Sequence, residues 1–223
     1  MTELSQAVTA LTAEKYRLIP ADNMEYKSMK YPAAVPIMRF NTSQFRAEGL
    51  GNLFIMETSA MLGLMKLTTI VFTPLARTAL PFLLIDGMSM AKKNLCYIEY
   101  YDLTGYGCKI DCSESQRAEF ANIPDYSEAE AWYISHRTPY SLIKGGKGVK
   151  KDVLDDMALK CIRRYLSSAK PCNDAEKHYD NLKAFQRRMI EKGNPSSATL
   201  EKLLGKNGAT KMFETAIMPV NIE

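Results

Sequence analysis

Between residues 36 and 102 the chain holds five strand-like runs in close succession: PIMRFNTSQF, LGNLFIMETSAM, LGLMKLTTIVFT, PFLLIDGMSM and NLCYIEYYDL. Each has about the length of a strand or slightly more. Turn formers separate them, among them Gly63, Pro74 and the Lys92-Lys93-Asn94 cluster. A parallel pair needs a crossover of a dozen or more residues, and these gaps are too short for one. Consecutive runs are therefore expected to pair antiparallel, as a meander. Several are apolar on both alternating sets of positions, so the sheet requires cover on both faces.

That cover is available in the flanking segments. Residues 1–18 read as a short helix, with Leu4, Val8, Leu11 and Leu18 at helical spacings. After Cys112, four segments show helical spacing: SEAEAWYISHR, KKDVLDDMALKCIRRYLSSA, DAEKHYDNLKAFQRRMIEK and ATLEKLLGKNGATKMFETAIM. In the third, Leu182, Phe185 and Met189 form an i, i+3, i+7 stripe. Pro171 and Gly193-Asn194-Pro195 separate the helices. Strands followed by helices predict an α+β fold, a single domain over residues 1–223 with helices on both faces of one sheet.

Bulk properties exclude several function classes. A net charge of +4 on 223 residues is too mild for a nucleic-acid binder. No apolar run reaches transmembrane length, and Met1 to Ala10 lacks the pattern of a secretory signal, so a cytoplasmic chain is expected. The five cysteines form no C-x-x-C pair, which suits free thiols in a reducing compartment. Cys108 and Cys112 are four apart, but the only histidines, His136 and His178, lie far off, and no metal site is expected. No G-x-G-x-x-G, G-x-S-x-G or H-E-x-x-H motif is present, so no bound dinucleotide, serine nucleophile or zinc protease is indicated. Both histidines sit on polar stretches and read as solvated, while Trp132 and Tyr133 read as packing residues.

The stretch Arg137 to Lys151 has five basic residues and no acid. Its GGKG lacks the Ser or Thr of a phosphate loop, because Gly148 follows Lys147. A solvated loop is the first reading, docking of an acidic protein the second, and phosphate binding the third.

The most informative acid is Asp86, within LPFLLIDGMSM. A bare carboxylate in so apolar a run must reach water at a turn, be held by a partner, or keep its proton. Asp-Gly is a common turn pair, and spacing alone favours a turn at Asp86-Gly87. On a strand, Asp86 would share a face with Phe82, Leu84 and Met88, and antiparallel neighbours would bring Glu57 and Thr69 to that face if the register allowed. A desolvated carboxylate beside a second one has a raised pKa and can serve as a proton donor.

The ordered set FRAEGLGNLFIMETSAM, MKLTTIVFTPLARTALPFLLIDGMSM and NLCYIEYYDL resembles the ferredoxin-dependent bilin reductases and the related red chlorophyll catabolite reductases. The shared features are a strand carrying a glutamate (Glu57), a strand ending Phe72-Thr73-Pro74, and Leu80-Pro81 leading to Asp86. Near the C-terminus, a helix containing Gln186 and the stretch Leu200 to Phe213 look similar too. The resemblance implies a three-layer α/β/α sandwich with a central, mainly antiparallel sheet, holding an open-chain tetrapyrrole such as biliverdin between the sheet and the C-terminal helices. It further implies single electrons from reduced ferredoxin, an iron–sulfur protein, with no cofactor or metal bound by the chain, which would act as a monomer.

By the same resemblance Asp86 is the proton donor and Glu57 the second acid or a positioning group. The sequence departs from the family at Thr69, where some members carry a histidine, and at Ser196-Ser197-Ala198, where basic residues are usual. The usual ending Leu-Phe-Asp is here Ile217-Met218-Pro219. Thr69 would be a pocket wall, and Arg187, Arg188 and Lys192 would anchor the propionates. A tetrapyrrole-binding protein without redox activity is the alternative that these departures favour.

Overall fold

The computed structural model describes residues 2–22, 25–32, 37–105, 107, 110, 113–127, 130–194 and 196–221. The strands are β1 (Leu18–Pro20), β2 (Ser28–Tyr31), β3 (Met38–Ala47), β4 (Gly51–Ala60), β5 (Met65–Pro74), β6 (Phe82–Met90), β7 (Lys93–Tyr101) and β8 (Leu142–Lys147). They form one eight-stranded antiparallel sheet in the order β1-β3-β4-β5-β6-β7-β8, with β2 paired to β3 as well. The meander expected from the short gaps is therefore present from β3 to β7.

Alternation along each central strand sends apolar side chains both ways. Leu53, Ile55, Ile70, Leu83 and Ile85 pack on one face, beneath α1 (Glu3–Ala13) and α3 (Lys151–Ser167). Phe54, Met56, Val71, Phe82 and Leu84 pack on the other, beneath α4 (Ala175–Glu191) and α5 (Ser197–Met212). A short α2 (Ser113–Glu119) precedes Phe120 and Ile123, which join the first core. The result is a three-layer α/β/α sandwich, as the resemblance implied.

Each long helix has a sequence reason for its orientation. In α3, Leu154, Met157, Ala158, Cys161, Ile162 and Tyr165 recur at helical spacing and are buried. In α4, Leu182, Phe185 and Met189 form the predicted inward stripe, and Asp174 caps the start by accepting from the Lys177 backbone N–H. α5 is interrupted at Gly205, whose φ of 70° and ψ of 166° suit glycine alone, and it runs into a π-helical turn at Phe213–Ile217.

Four expectations need correction. The stretch Arg137 to Lys151 is not a solvated loop throughout, since it contains β8. There Gly145 approaches β7 so closely that a Cβ would meet the Asn94 carbonyl at 2.3 Å, so this glycine serves sheet packing. The segment around Trp132 forms a single 3-10 turn, Ile134–His136, in place of a helix. Leu18 opens β1 and does not extend α1. His178 is fully buried, with Nδ1 2.9 Å from the Ala76 carbonyl, because it sits one turn before Leu182 on the inward stripe. Cys108 and Cys112 lie outside the described residues.

Candidate active site

Asp86 stands in the middle of β6, paired on one side with Thr69 of β5 and on the other with Tyr97 of β7. The turn favoured by spacing alone lies further on, where Ala91 has a φ of 52° between β6 and β7. A strand laddered on both sides gives the Asp86 side chain one outlet, toward α4 and α5 with Phe82 and Leu84.

There it meets a cavity. The floor is made by Phe54, Met56, Thr69, Val71, Leu84 and Asp86, and the roof by Met189, Phe213 and Ile217, with Asn194 and Ser196 at the side. The empty space totals about 480 Å³. Part of that space is open to solvent, and the enclosed part has room for little more than water. The chain thus holds a narrow apolar slot, closed down on the sheet.

Asp86 is the only titratable group among the described residues that line it. Burial pushes its carboxyl up to about 6, and the Thr69 hydroxyl, donating to Oδ1 at 2.5 Å, pulls it part of the way back. Exclusion of water from such a slot disfavours the charged form of its carboxyl. Such an acid can hold a proton against an electron-rich acceptor and release it.

The structure does not bring Glu57 to this face. Register pairs Met56 with Thr69 and Thr69 with Asp86, whereas Glu57 pairs with Thr68, one step away. One step reverses the side, so Glu57 projects toward α1. There it accepts hydrogen bonds from the Ser5 hydroxyl at 2.6 Å and from the Thr2 backbone N–H. Burial raises its pKa, but the Ser5 and Thr2 bonds outweigh burial and hold it below the usual carboxylate range. Glu57 anchors the N-terminal end of α1, where a negative charge also complements the helix dipole.

Arg187 and Arg188 are exposed on α4, Lys192 is exposed just past its end, and none lines the slot. Arg188 lies 3.3 Å from His136 Nε2, and the Lys192 ammonium lies 5.6 Å from the Trp132 ring. Trp132 packs on Phe185, in agreement with its reading as a packing residue.

A second carboxylate does share the Asp86 face. Glu99 of β7 pairs with Leu84, diagonal to Asp86, and is 2% exposed. It is ion-paired with Arg137 and accepts from the Tyr101 hydroxyl at 2.8 Å. Burial drives its pKa up to about 7, Arg137 and Tyr101 oppose the rise, and Asp86 adds to it. Sequence reading passed over Glu99, although it carries the same signal as Asp86, an acid inside an apolar strand run.

No helix among the described residues is long and apolar enough to cross a membrane, and no group of three His, Cys, Asp or Glu side chains among them is placed to hold a metal ion. No protein-family model matches the chain, and no curated protein matches it in sequence. In structure it is similar to phytochromobilin synthase from tomato, solved in complex with biliverdin: the TM-score is 0.73 at 17% identity, covering 94% of this chain and 79% of that one. The sheet and its two helical layers together have the fold of phytochromobilin synthase.

Proposed function

We propose that the chain reduces a linear tetrapyrrole of the biliverdin class, taking electrons one at a time from ferredoxin, with Asp86 as proton donor. The observation that carries this reading is a carboxyl raised to about 6 in the floor of an apolar slot, in the fold of a biliverdin-binding synthase. Ligand sites are usually apolar clefts with a few convergent polar groups, which is the composition here.

Reduction of one double bond consumes two electrons and two protons. Each electron makes the conjugated ligand more basic, and an acid within hydrogen-bond reach then delivers a proton. Asp86 supplies one such proton and solvent supplies the other as well as the proton that restores Asp86; Thr69 steadies the carboxylate left behind. Pyrrole N–H groups would satisfy that carboxylate while the ligand is bound, lowering the cost of its burial. Admission of the ligand requires Phe213 and Ile217 to lift from the sheet, because the slot has room for little more than water as it stands.

A second reading, a tetrapyrrole carrier without redox chemistry, is favoured by one observation. The slot offers a single titratable group where the reaction needs two protons. Anaerobic incubation with biliverdin and reduced ferredoxin separates the two. Progress through intermediates to a reduced product supports the reductase. A spectral shift on binding that never advances supports the carrier, and no shift at all refutes both.

A further inference from the structure

At the β4–β5 and β6–β7 end of the sheet, two hairpin tips present apolar side chains to solvent. Leu62 is 95% exposed, and Met61, Leu64, Met90 and Ile37 are also exposed. Of the exposed large apolar residues among those described, only Val153 lies elsewhere. The tip is built rather than frayed: Met61 N–H donates to the Ile37 carbonyl at 3.1 Å, Leu64 N–H to Met61 at 3.2 Å, and Ala91 N–H to Leu64 at 3.3 Å. Met61 and Leu62 hold φ values of 52° and 56°, a left-handed conformation that non-glycine residues adopt at a cost. Clustered apolar exposure of this kind marks an interaction surface.

Its rim is basic. Arg39, Lys66, Lys92 and Lys147 are exposed around the tip, and none is in an ion pair among the described residues. The segments that build this end, residues 37–41, 59–66, 88–95 and 145–150, contain no Asp or Glu. By contrast, three other cations of the basic stretch are already ion-paired, Arg137 with Glu99, Lys144 with Asp125 at 2.8 Å and Lys151 with Asp155. The charge that remains free to meet a partner from that stretch is therefore the part at this tip.

The tip is also close to the chemistry. Met65 and Met90, paired at its base, are each four residues along their strands from Thr69 and Asp86. At about 3.3 Å per residue that is roughly 13 Å. We infer that an acidic electron-carrier protein docks here, seating an apolar contact on Leu62 and its neighbours and its carboxylates on the surrounding lysines. This rests on the reductase reading, since only a reductase needs a carrier close to the slot. A small apolar centre inside a charged rim suits a fast, transient, salt-sensitive complex.

The test uses the full chain loaded with biliverdin, a [2Fe–2S] ferredoxin, and two variants, Leu62→Ser and Lys66→Glu/Lys92→Glu. Each variant is expected to lower kcat/KM for ferredoxin at least tenfold. Biliverdin affinity and reduction of bound biliverdin by dithionite with methyl viologen should stay within twofold. Wild-type turnover with both variants unaffected overturns the docking surface and leaves the reductase reading standing. Failure of the wild type to reduce biliverdin even with the small-molecule reductant overturns that reading, and the docking inference with it. Leu62-dependent pelleting with phosphatidylglycerol vesicles, without any ferredoxin effect, assigns the tip to a membrane surface and overturns the inference as well.

Discussion

The Thr69 hydroxyl donates to Asp86 Oδ1 at 2.5 Å from directly across the β5–β6 ladder. A cross-strand pair of this kind fixes both side chains on the slot floor, and the bond favours the ionised form of an acid that burial otherwise neutralises. Two opposed influences thus hold the carboxyl at about 6, within reach of proton uptake and release at neutral pH.

Asp86→Asn keeps the shape and the acceptor for Thr69 but removes the exchangeable proton. Biliverdin affinity should change by less than about threefold, while the single-turnover rate with reduced ferredoxin falls roughly 10²-fold or more. Undiminished turnover would remove Asp86 from the reaction.

Thr69→Val deletes the hydrogen bond that lowers the Asp86 pKa, so that pKa should rise above about 6. An acid catalyst loses activity as pH climbs through its pKa, so the alkaline limb of the wild-type pH–rate profile should move to higher pH in the variant. A limb that stays in place would mean another group titrates.

The same acid makes stability depend on pH. Its native pKa of about 6 exceeds the ordinary 3.8, so the folded chain binds more protons between those values. The Asp86 contribution therefore declines as pH rises from about 4 through about 6 and is flat above. Subtracting the denaturation curve of Asp86→Asn from that of the wild type should isolate this slope, about 3 kcal/mol across the window. A difference independent of pH would contradict it.

Arg137→Met strands Glu99 in a site where it is 2% exposed. Loss of one partner of a buried pair costs about 3 kcal/mol or more, whereas replacing both by apolar residues is often close to neutral. Urea unfolding should therefore show Glu99→Leu/Arg137→Met to be more stable than Arg137→Met alone.

Phe213→Ala trims the roof of the slot. It should destabilise the chain by about 3 kcal/mol and yet speed biliverdin association several-fold in stopped-flow absorbance, since less of the roof must lift. Unchanged association would place the entry route elsewhere.

The architecture was legible because it depended on gap lengths and on periodicity, which survive without knowledge of partners. The central meander and the inward stripe of α4 follow from these. What failed was parity. The β4–β5 register is set by a turn in which Met61 and Leu62 take left-handed conformations, and no residue-type rule marks them for it. A register one residue different would have put Glu57 opposite Thr69 on the slot face. Asp86 was readable as an anomaly, but its strand position rested on resemblance, since Asp-Gly is equally at home in a turn. Glu99 carried the same anomaly as Asp86, but its pairing with Arg137 was hidden because a buried ion pair joins residues far apart in the chain. β8 was hidden by its glycines, and the purpose of Gly145 appears only against the Asn94 carbonyl.

The alternation of β4, β5 and β6 separates ligand surface from scaffold by a single residue. Phe54, Met56, Val71 and Leu84 can be exchanged as a set to reshape what the slot accepts, while Leu53, Ile55, Ile70 and Ile85 go on gripping α1 and α3 from behind. On the proposed function, a combinatorial library confined to the first group would explore pigment selectivity while the layer of α1 and α3 stays undisturbed.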